Sequence, residues 1–216
     1  LDFVKKMQEN ANFPFISANI LDSDGNRLFD PYIITDVDGI SLGIIGLASN
    51  FVHQNVYVRD PVESLGELVR EVENQADILL LMFDSEEADL IKIQSSGYPI
   101  DMIIRSKSKT RSQDGGKRNI PTYSCGDRGK YLYQYDLTIA EPQLKFTDLA
   151  LYKNQLSQAE KRLNKLRKGN LLADLQSMYQ SDPQTLKKIE TYESQIETAR
   201  KAMDASVNTI ILSKFE

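Results

Sequence analysis

Four cations alternate with other residues in one short segment, at Arg105, Lys107, Lys109 and Arg111. Side chains two residues apart lie on one side of an extended backbone, so this spacing predicts four positive charges on a single face. Such a face suits an anion: a phosphate, a nucleotide or an acidic protein surface. The alternative, which we favour, is that the cations pair with nearby carboxylates, Asp84 among them, and serve only the structure.

The residue types that most often ligate metals or act as nucleophiles are scarce. His53 is the single histidine and Cys125 the single cysteine. One histidine leaves no local triad or zinc set, and its polar surroundings predict a solvated loop side chain. One cysteine excludes an internal disulfide, and its place before Gly126 predicts a small buried hydrophobe. Asp84 can ligate a divalent cation in principle.

Composition limits the class of protein. The 216 residues are enough for one core with an appendage. A net charge of −5, from 26 Lys and Arg against 31 Asp and Glu, argues against nucleic acid as a partner. No apolar run approaches membrane-spanning length, which predicts no membrane span.

The elements that must position the cations alternate between strand and helix over about the first 150 residues. This alternation predicts an α/β domain. The predicted strands are 15–20, 32–37, 40–47, 78–82, 100–104 and 131–139. The predicted helices are 1–10, 61–76 and 88–94.

The pattern changes after about residue 145. Apolar residues then recur at steps of three and four over 149–166 and again over 189–203, which is typical of a helical seam. Lys168-Gly169-Asn170 predicts either a C-cap or a kink, and after a kink 171–179 would continue the first helix. Ser181-Asp182-Pro183 predicts the start of the second helix. We therefore expect an antiparallel helical hairpin. Residues 207–212 predict a closing strand or the start of a further segment.

Five blocks in the first 150 residues resemble, in order, the 5′-nucleotidase branch of the calcineurin-like metallophosphoesterases. Where that family has I-D-x-I-I-G-G-H-S-H-T, this chain has I-D-M-I-I-R-S-K-S-K-T, and where the family has D-V-V-I-V-L-S-H, it has D-I-L-L-L-M-F-D. The other blocks resemble N-F-P-V-L-S-A-N-V, K-V-G-V-I-G-L and P-x-V-x-A-G-x-x-G-K-Y-L-G-x-L-D-L. The five blocks are 12–20, 29–47, 77–84, 100–110 and 121–137.

The resemblance implies that metal ligands have been replaced. The family's histidines at these positions ligate two divalent metals, and here the degenerate positions hold Asp84, Lys107 and Lys109. A protonated lysine has only donors and cannot ligate a cation. We therefore expect no metal cofactor. Asn19 and Asp101 keep the family's residue types and are expected to bond loop backbone.

The resemblance also implies a fold: the C-terminal part of a four-layer α/β/β/α metallophosphoesterase sandwich, followed by a helical hairpin. We predict a partial metallophosphoesterase-like domain over residues 1–148, the hairpin over 149–206, and a closing strand or link over 207–216. The family's earlier metal motifs would precede Leu1, and there is no initiator Met. We accordingly expect a fragment or a processed piece, whose incomplete sheet would expose an edge.

Three functional hypotheses follow. The first is a non-catalytic, degenerate metallophosphoesterase-like domain, a structural or protein-interaction module with a protein partner or self-association through the hairpin. The second is an active metal-dependent 5′-nucleotidase or cyclic-nucleotide phosphodiesterase whose remaining ligands lie upstream. The third is a pseudoenzyme that holds phosphate or a nucleotide on Arg105, Lys107, Lys109 and Arg111. Because family members are often exported, we expect a periplasmic or extracellular location.

Overall fold

The computed structural model describes residues 2–106, 119–124, 126 and 132–215. The predicted site residues Lys107, Lys109 and Arg111 lie outside these described residues, as does Cys125. The chain divides into two compact units, Leu1–Tyr133 with Lys214–Glu216, and Gln134–Ser213. Our predicted domain boundary at residues 148 and 149 follows the change of sequence pattern instead, and it stays a prediction.

The described residues form ten strands and six helices, with helices in the connections between parallel strands, which confirms the predicted α/β class. The strands are β1 Ile20–Leu21, β2 Tyr32–Val37, β3 Ile40–Ala48, β4 Tyr57–Val58, β5 Ile78–Asp84, β6 Met102–Arg105, β7 Thr122–Ser124, β8 Leu132–Thr138, β9 Phe146–Asp148 and β10 Asn208–Phe215. The helices are α1 Asp2–Asn10, α2 Pro61–Glu73, α3 Glu87–Ser95, α4 Leu149–Leu166, α5 Leu175–Met178 and α6 Pro183–Asp204.

The first unit is built on a five-stranded sheet with strand order β2-β3-β5-β6-β7. Strand β2 is antiparallel to β3, and the other neighbours are parallel. Ile45, Leu81 and Ile103 are aligned across the three central strands. Parallel strands need long crossover connections, and α2 and α3 lie in the connections from β3 to β5 and from β5 to β6.

The core of this unit lies between the sheet and these two helices. Crossovers are almost always right-handed, so two of them running in the same direction along a sheet place their helices on one face. Residues of α2, α3 and the matching face of the sheet are accordingly buried together, among them Leu65, Leu90, Leu81 and Phe83, each at most 2% exposed. Helix α2 begins at Asp60, whose side chain accepts from two backbone N–H groups of the first turn.

The second unit contains the helical hairpin and a three-stranded sheet of order β8-β10-β9. Helix α4 begins at Asp148, and α6 begins at Asp182 with Pro183 in its first turn. The two long helices pack along the predicted seam, where Leu163 and Ile189 are buried. Arg200 of α6 pairs with Glu160 of α4. The hairpin is therefore antiparallel.

Two expected elements differ from those observed. The strand predicted over 15–20 is limited to a bridge from Ile16 to Asp30 and the two residues of β1. Ser17 N donates to Asp30 O and Ala18 N donates to Gly46 O, so successive residues bond different segments and form no continuous ladder. Of the two alternatives for Lys168-Gly169-Asn170, the helix end is confirmed, and the continuation of α4 over 171–179 is wrong. Helix α4 ends at Leu166 because Lys168 and Gly169 have φ of 51° and 91°, which no α-helix accommodates. Within the described residues, no helix is both long and apolar enough to cross a membrane.

Candidate functional site

The parallel strands of the first unit bring polar residues to one edge of the sheet. Because β3, β5, β6 and β7 run in the same direction, their carboxyl ends meet there. In open α/β sheets this is the edge at which ligands usually bind. The polar residues in the last positions of these strands, or directly after them, are Ser49, Asp84, Ser85, Arg105, Ser106 and Ser124.

Asp84 is the last residue of β5 and is half-buried. One of its carboxylate oxygens accepts a hydrogen bond from the Ser106 hydroxyl. Its backbone O accepts from Ser49 N at 2.8 Å, and Ser106 N donates to Phe83 O at 3.0 Å. These backbone bonds fix the ends of three strands against one another, so the Asp84 carboxylate has a defined position.

Arg105 ends β6 beside this carboxylate, and its side chain is only 9% exposed. Its Nη1 donates to Glu87 Oε2 at 2.5 Å, and its Nη2 donates to Ser85 O at 3.1 Å. Glu87 is the first residue of α3. The guanidinium therefore joins the ends of two strands to the start of the helix between them, which is one form of the structural pairing that we favoured for the cations.

A second polar link joins β3 to the start of α3. Ser49 Oγ donates to Asp89 Oδ2 at 2.7 Å and accepts from Glu86 N at 2.9 Å. Two buried polar atoms at the edge, Ser85 Oγ and Arg105 Nε, have no hydrogen-bond partner within the described part of the chain. Unpaired buried polar atoms are costly, so a further hydrogen-bond partner at either atom would be stabilising.

Two residues outside the predicted site complete this arrangement. Ser106 stands where the family has a glycine, and Glu87 follows Asp84 by three residues. Their types gave no strong signal, because a lone serine or surface glutamate occurs in any soluble protein. Asn19 and Asp101 bond backbone: Asn19 Nδ2 donates to Ala48 O and Arg59 O, and Asp101 Oδ2 accepts from Leu79 N.

The two divalent metals that the family resemblance implies do not fit the donor set of this edge. In the described residues, no three His, Cys, Asp or Glu side chains lie close enough to hold one ion. Asp84 is the one matched ligand position in these residues; its carboxylate already accepts the Ser106 hydroxyl, and the Arg105 guanidinium lies in the neighbouring strand end. A guanidinium has only donors and repels a cation.

Known proteins resemble this chain over part of its length. No family model matches the sequence. A 5′-nucleotidase of Vibrio cholerae is 36% identical over 84 residues, which cover 35% of this chain and 15% of that protein. The uncharacterized metallophosphoesterase YunD of Bacillus subtilis is 28% identical over 145 residues, which cover 63% of this chain and 31% of that protein. The chain thus spans less than a third of these relatives.

Among solved structures, the calcineurin-like phosphoesterase YfkN of Bacillus subtilis superposes with a TM-score of 0.56 and 23% identity, over 65% of this chain and 55% of that chain. A putative 5′-nucleotidase of Staphylococcus aureus superposes with a TM-score of 0.53 over 64% of this chain. At such identities the likeness shows the fold alone. Fold and sequence together confirm the resemblance of this chain to the 5′-nucleotidase branch of the calcineurin-like metallophosphoesterases.

Proposed function

We propose that this chain is a non-catalytic, degenerate member of the 5′-nucleotidase-like metallophosphoesterases, which acts as a structural or protein-interaction module. The observation that carries the proposal is the Arg105 guanidinium at the carboxyl edge of the sheet, nearly buried and paired with Glu87 at 2.5 Å. In a two-metal centre the metals generate the attacking hydroxide and polarise the phosphoryl group. A guanidinium supplies positive charge at this edge, but it does not generate a hydroxide or polarise a phosphoryl group as bound metals do.

Arg105 also gives this edge a structural purpose. Its contacts to Glu87 and to Ser85 O join β6 to the loop between β5 and α3. The sequence adds Lys107 and Lys109 at the two further degenerate positions. Side-chain cations at these sequence positions supply positive charge without the Lewis acidity of a metal. The proposal therefore assigns the cluster to stability and excludes a resident metal cofactor.

The test is elemental analysis of the purified chain beside a phosphatase assay with p-nitrophenyl phosphate in added manganese. We expect metal far below one ion per chain and no turnover. Asp84→Asn is the matched control, because it removes the carboxylate and leaves the size of the side chain unchanged. Stoichiometric metal that the Asp84→Asn variant loses, together with hydrolysis by the parent chain, would contradict the proposal. It would favour instead an active 5′-nucleotidase or cyclic-nucleotide phosphodiesterase.

A second candidate function is the binding of phosphate or a nucleotide without hydrolysis. It is favoured by Ser85 Oγ and Arg105 Nε, the two buried atoms that lack a hydrogen-bond partner in the described residues. Arg105, Lys107, Lys109 and Arg111 would supply the charge. A ligand at a hundred times its Kd stabilises the fold by about 2.7 kcal/mol, so AMP or phosphate should raise Tm by several degrees. No shift in the parent chain, or an equal shift in Arg105→Gln, would exclude this function.

The hairpin offers the interaction surface of the module. A groove of about 580 Å³ lies between α4 and α6, with Leu163 and Ile196 at its base. Its rim carries charges of both signs: Glu160, Arg167, Glu193, Glu197, Arg200, Lys201 and Asp204. A rim that carries both signs of charge can pair with the same rim on a second copy of this chain, or with the charges of a different protein. Light scattering across a concentration series tests self-association, and a monomer at all concentrations leaves only a different protein partner.

The cellular location stays a prediction. Export to the periplasm or cell surface rests on the family resemblance.

A further inference from the structure

The end of the hairpin where α4 and α6 are joined has a charge opposite to that of the whole chain. Residues 161–188, the hairpin tip, contain seven Lys and Arg and two Asp, a net charge of +5. Because the chain as a whole carries −5, all other residues together carry −10. The seven cations are Lys161, Arg162, Lys165, Arg167, Lys168, Lys187 and Lys188. Such a separation of charge marks a surface that attracts an anionic partner.

These cations are gathered in space as well as in sequence. Helix α4 ends at Leu166 and α6 begins at Pro183, and a helix rises 1.5 Å per residue. The cations on both helices therefore lie within about 10 Å of the helix ends that form the tip. Six of the seven are exposed, and none forms a salt bridge with a carboxylate in the described residues. Their charge is available to an external partner.

Two leucines protrude from the same end. Leu171 is 68% exposed and Leu172 is 96% exposed. The turn holds them outward: Asn170 Oδ1 accepts from Leu172 N at 3.1 Å, and Asn170 O accepts from Ala173 N at 3.0 Å. The left-handed Lys168 and Gly169 direct the chain out of α4 before this turn. The exposure of two adjacent aliphatic side chains to water is unfavourable, and burial of both in an apolar environment would remove this cost.

We propose that the hairpin tip binds the surface of an anionic lipid bilayer. Leu171 and Leu172 insert at the boundary of headgroups and acyl chains, and the surrounding lysines and arginines contact lipid phosphates. An apolar insertion combined with basic charge is the combination that interfacial membrane binding requires. This inference does not depend on the proposed function, since it concerns residues of the second unit and neither the sheet edge nor its metal content.

A lipid surface fits the tip better than an acidic protein does. A stable protein interface buries about 800 Å² on each partner with complementary shape. The tip instead presents two projecting side chains on a narrow turn, with the cations distributed around them on two helices. A fluid bilayer adapts to such a shape, and its charge extends under all the cations at once.

The chain contains no tryptophan, so a single introduced Trp reports insertion directly. Leu172→Trp places the reporter at the tip, and Val52→Trp, at a fully exposed position in the first unit, is the matched control. We expect the emission of Leu172→Trp to shift to shorter wavelength with phosphatidylcholine vesicles that contain phosphatidylglycerol, and not with pure phosphatidylcholine. The Val52→Trp emission should not change. High salt should reverse the shift by screening the cations.

Co-sedimentation of the unmodified chain with the same vesicles gives the affinity. The double substitution Leu171→Ser, Leu172→Ser should lower the partition coefficient by on the order of tenfold. Lys165→Gln with Lys168→Gln should lower it by about 25-fold, since each neutralised cation costs about fivefold. All four side chains are exposed, so circular dichroism should show unchanged folding of both variants.

Three results would overturn the proposal. The parent chain could stay in solution with anionic vesicles. Both double variants could bind as tightly as the parent chain. Binding to polyglutamate but not to vesicles would assign the tip to an acidic protein instead.

Discussion

The two units of this protein bury their apolar residues in different ways. In the first unit, fifteen buried hydrophobic residues form one cluster between a sheet and two helices. In the hairpin of the second unit, the buried hydrophobic cluster has only three described members, Leu163, Leu175 and Ile189. A core of many residues buries much of the surface of the strands and helices around it, whereas a single seam leaves most of each helix in solvent. The comparison predicts that stability lies in the first unit and that surface for partners lies in the second.

The largest loss of stability is expected for Phe83→Ala. Phe83 is 2% exposed, and its removal leaves a cavity between β5, α2 and α3. Substitutions of this kind cost about 3–5 kcal/mol. Met82→Ala is the matched control: the preceding residue points to the opposite face and is 47% exposed, so it should cost about 1 kcal/mol or less. Chemical denaturation followed by circular dichroism measures the free energy of unfolding of both variants. Equal losses would contradict a core on the face of the sheet that the helices cover.

Ile189→Ala tests the narrow core. Ile189 is fully buried among Leu163 and Leu175, and its truncation should cost about 2–4 kcal/mol locally. Since the seam is the main apolar contact of α4 with α6, we expect their amides to lose hydrogen-exchange protection while those of β5 keep theirs. Lys188→Ala, on the exposed neighbour, is the control and should change neither. Equal loss of protection in β5 would show that the two units unfold as one.

Each unit also contains a fully buried asparagine whose side chain bonds backbone groups of other segments. Asn208 Oδ1 accepts from Ala140 N and Glu141 N, and its Nδ2 donates to Glu141 O and Leu144 O, at 2.6–3.1 Å. Asn19 makes three such bonds in the first unit. Replacement by Ala leaves these buried groups unpaired, at about 1–3 kcal/mol. Thermal unfolding should show a similar fall in Tm for both variants, and a much smaller effect for Asn208→Ala would mean that its loop rearranges.

Local patterns in the sequence predicted most of the elements. Strand β2 is found at the predicted residues, because Asp38 and Gly39 adopt the left-handed conformations that a tight two-residue hairpin requires. The end of α4 has the same kind of local signal, because Gly169 lies in the segment Lys168-Gly169-Asn170 that predicts a C-cap or a kink. The sequence left open which of the two applies. The left-handed backbone at both Lys168 and Gly169 decides for the helix end, so 171–179 do not continue α4.

The candidate site was only half predictable. Asp84 and Arg105 were found from the family resemblance and from the alternation of charge. The partner of Arg105 was not, because Glu87 is eighteen residues away and meets it only once β5 and β6 are neighbours and α3 starts above them. Side-chain pairs of this separation follow from the tertiary fold and leave no local signal.

The smallest effect is expected at the start of α6 and depends on pH. The Thr185 hydroxyl and N–H donate to Asp182, which lowers the pKa of this carboxyl below the ordinary value of an aspartate. A lowered pKa means that the cap stabilises the helix fully above about pH 4 and that this contribution disappears as pH falls through the lower value. Asp182→Asn keeps a good N-cap without a charge. The helicity of the parent chain should therefore fall more between pH 4 and pH 2 than that of the variant, as measured by circular dichroism. The seam holds the rest of α6 in place, so the difference should be small and the sheet should remain folded. Parallel titrations of the two proteins would contradict a role for the charged cap.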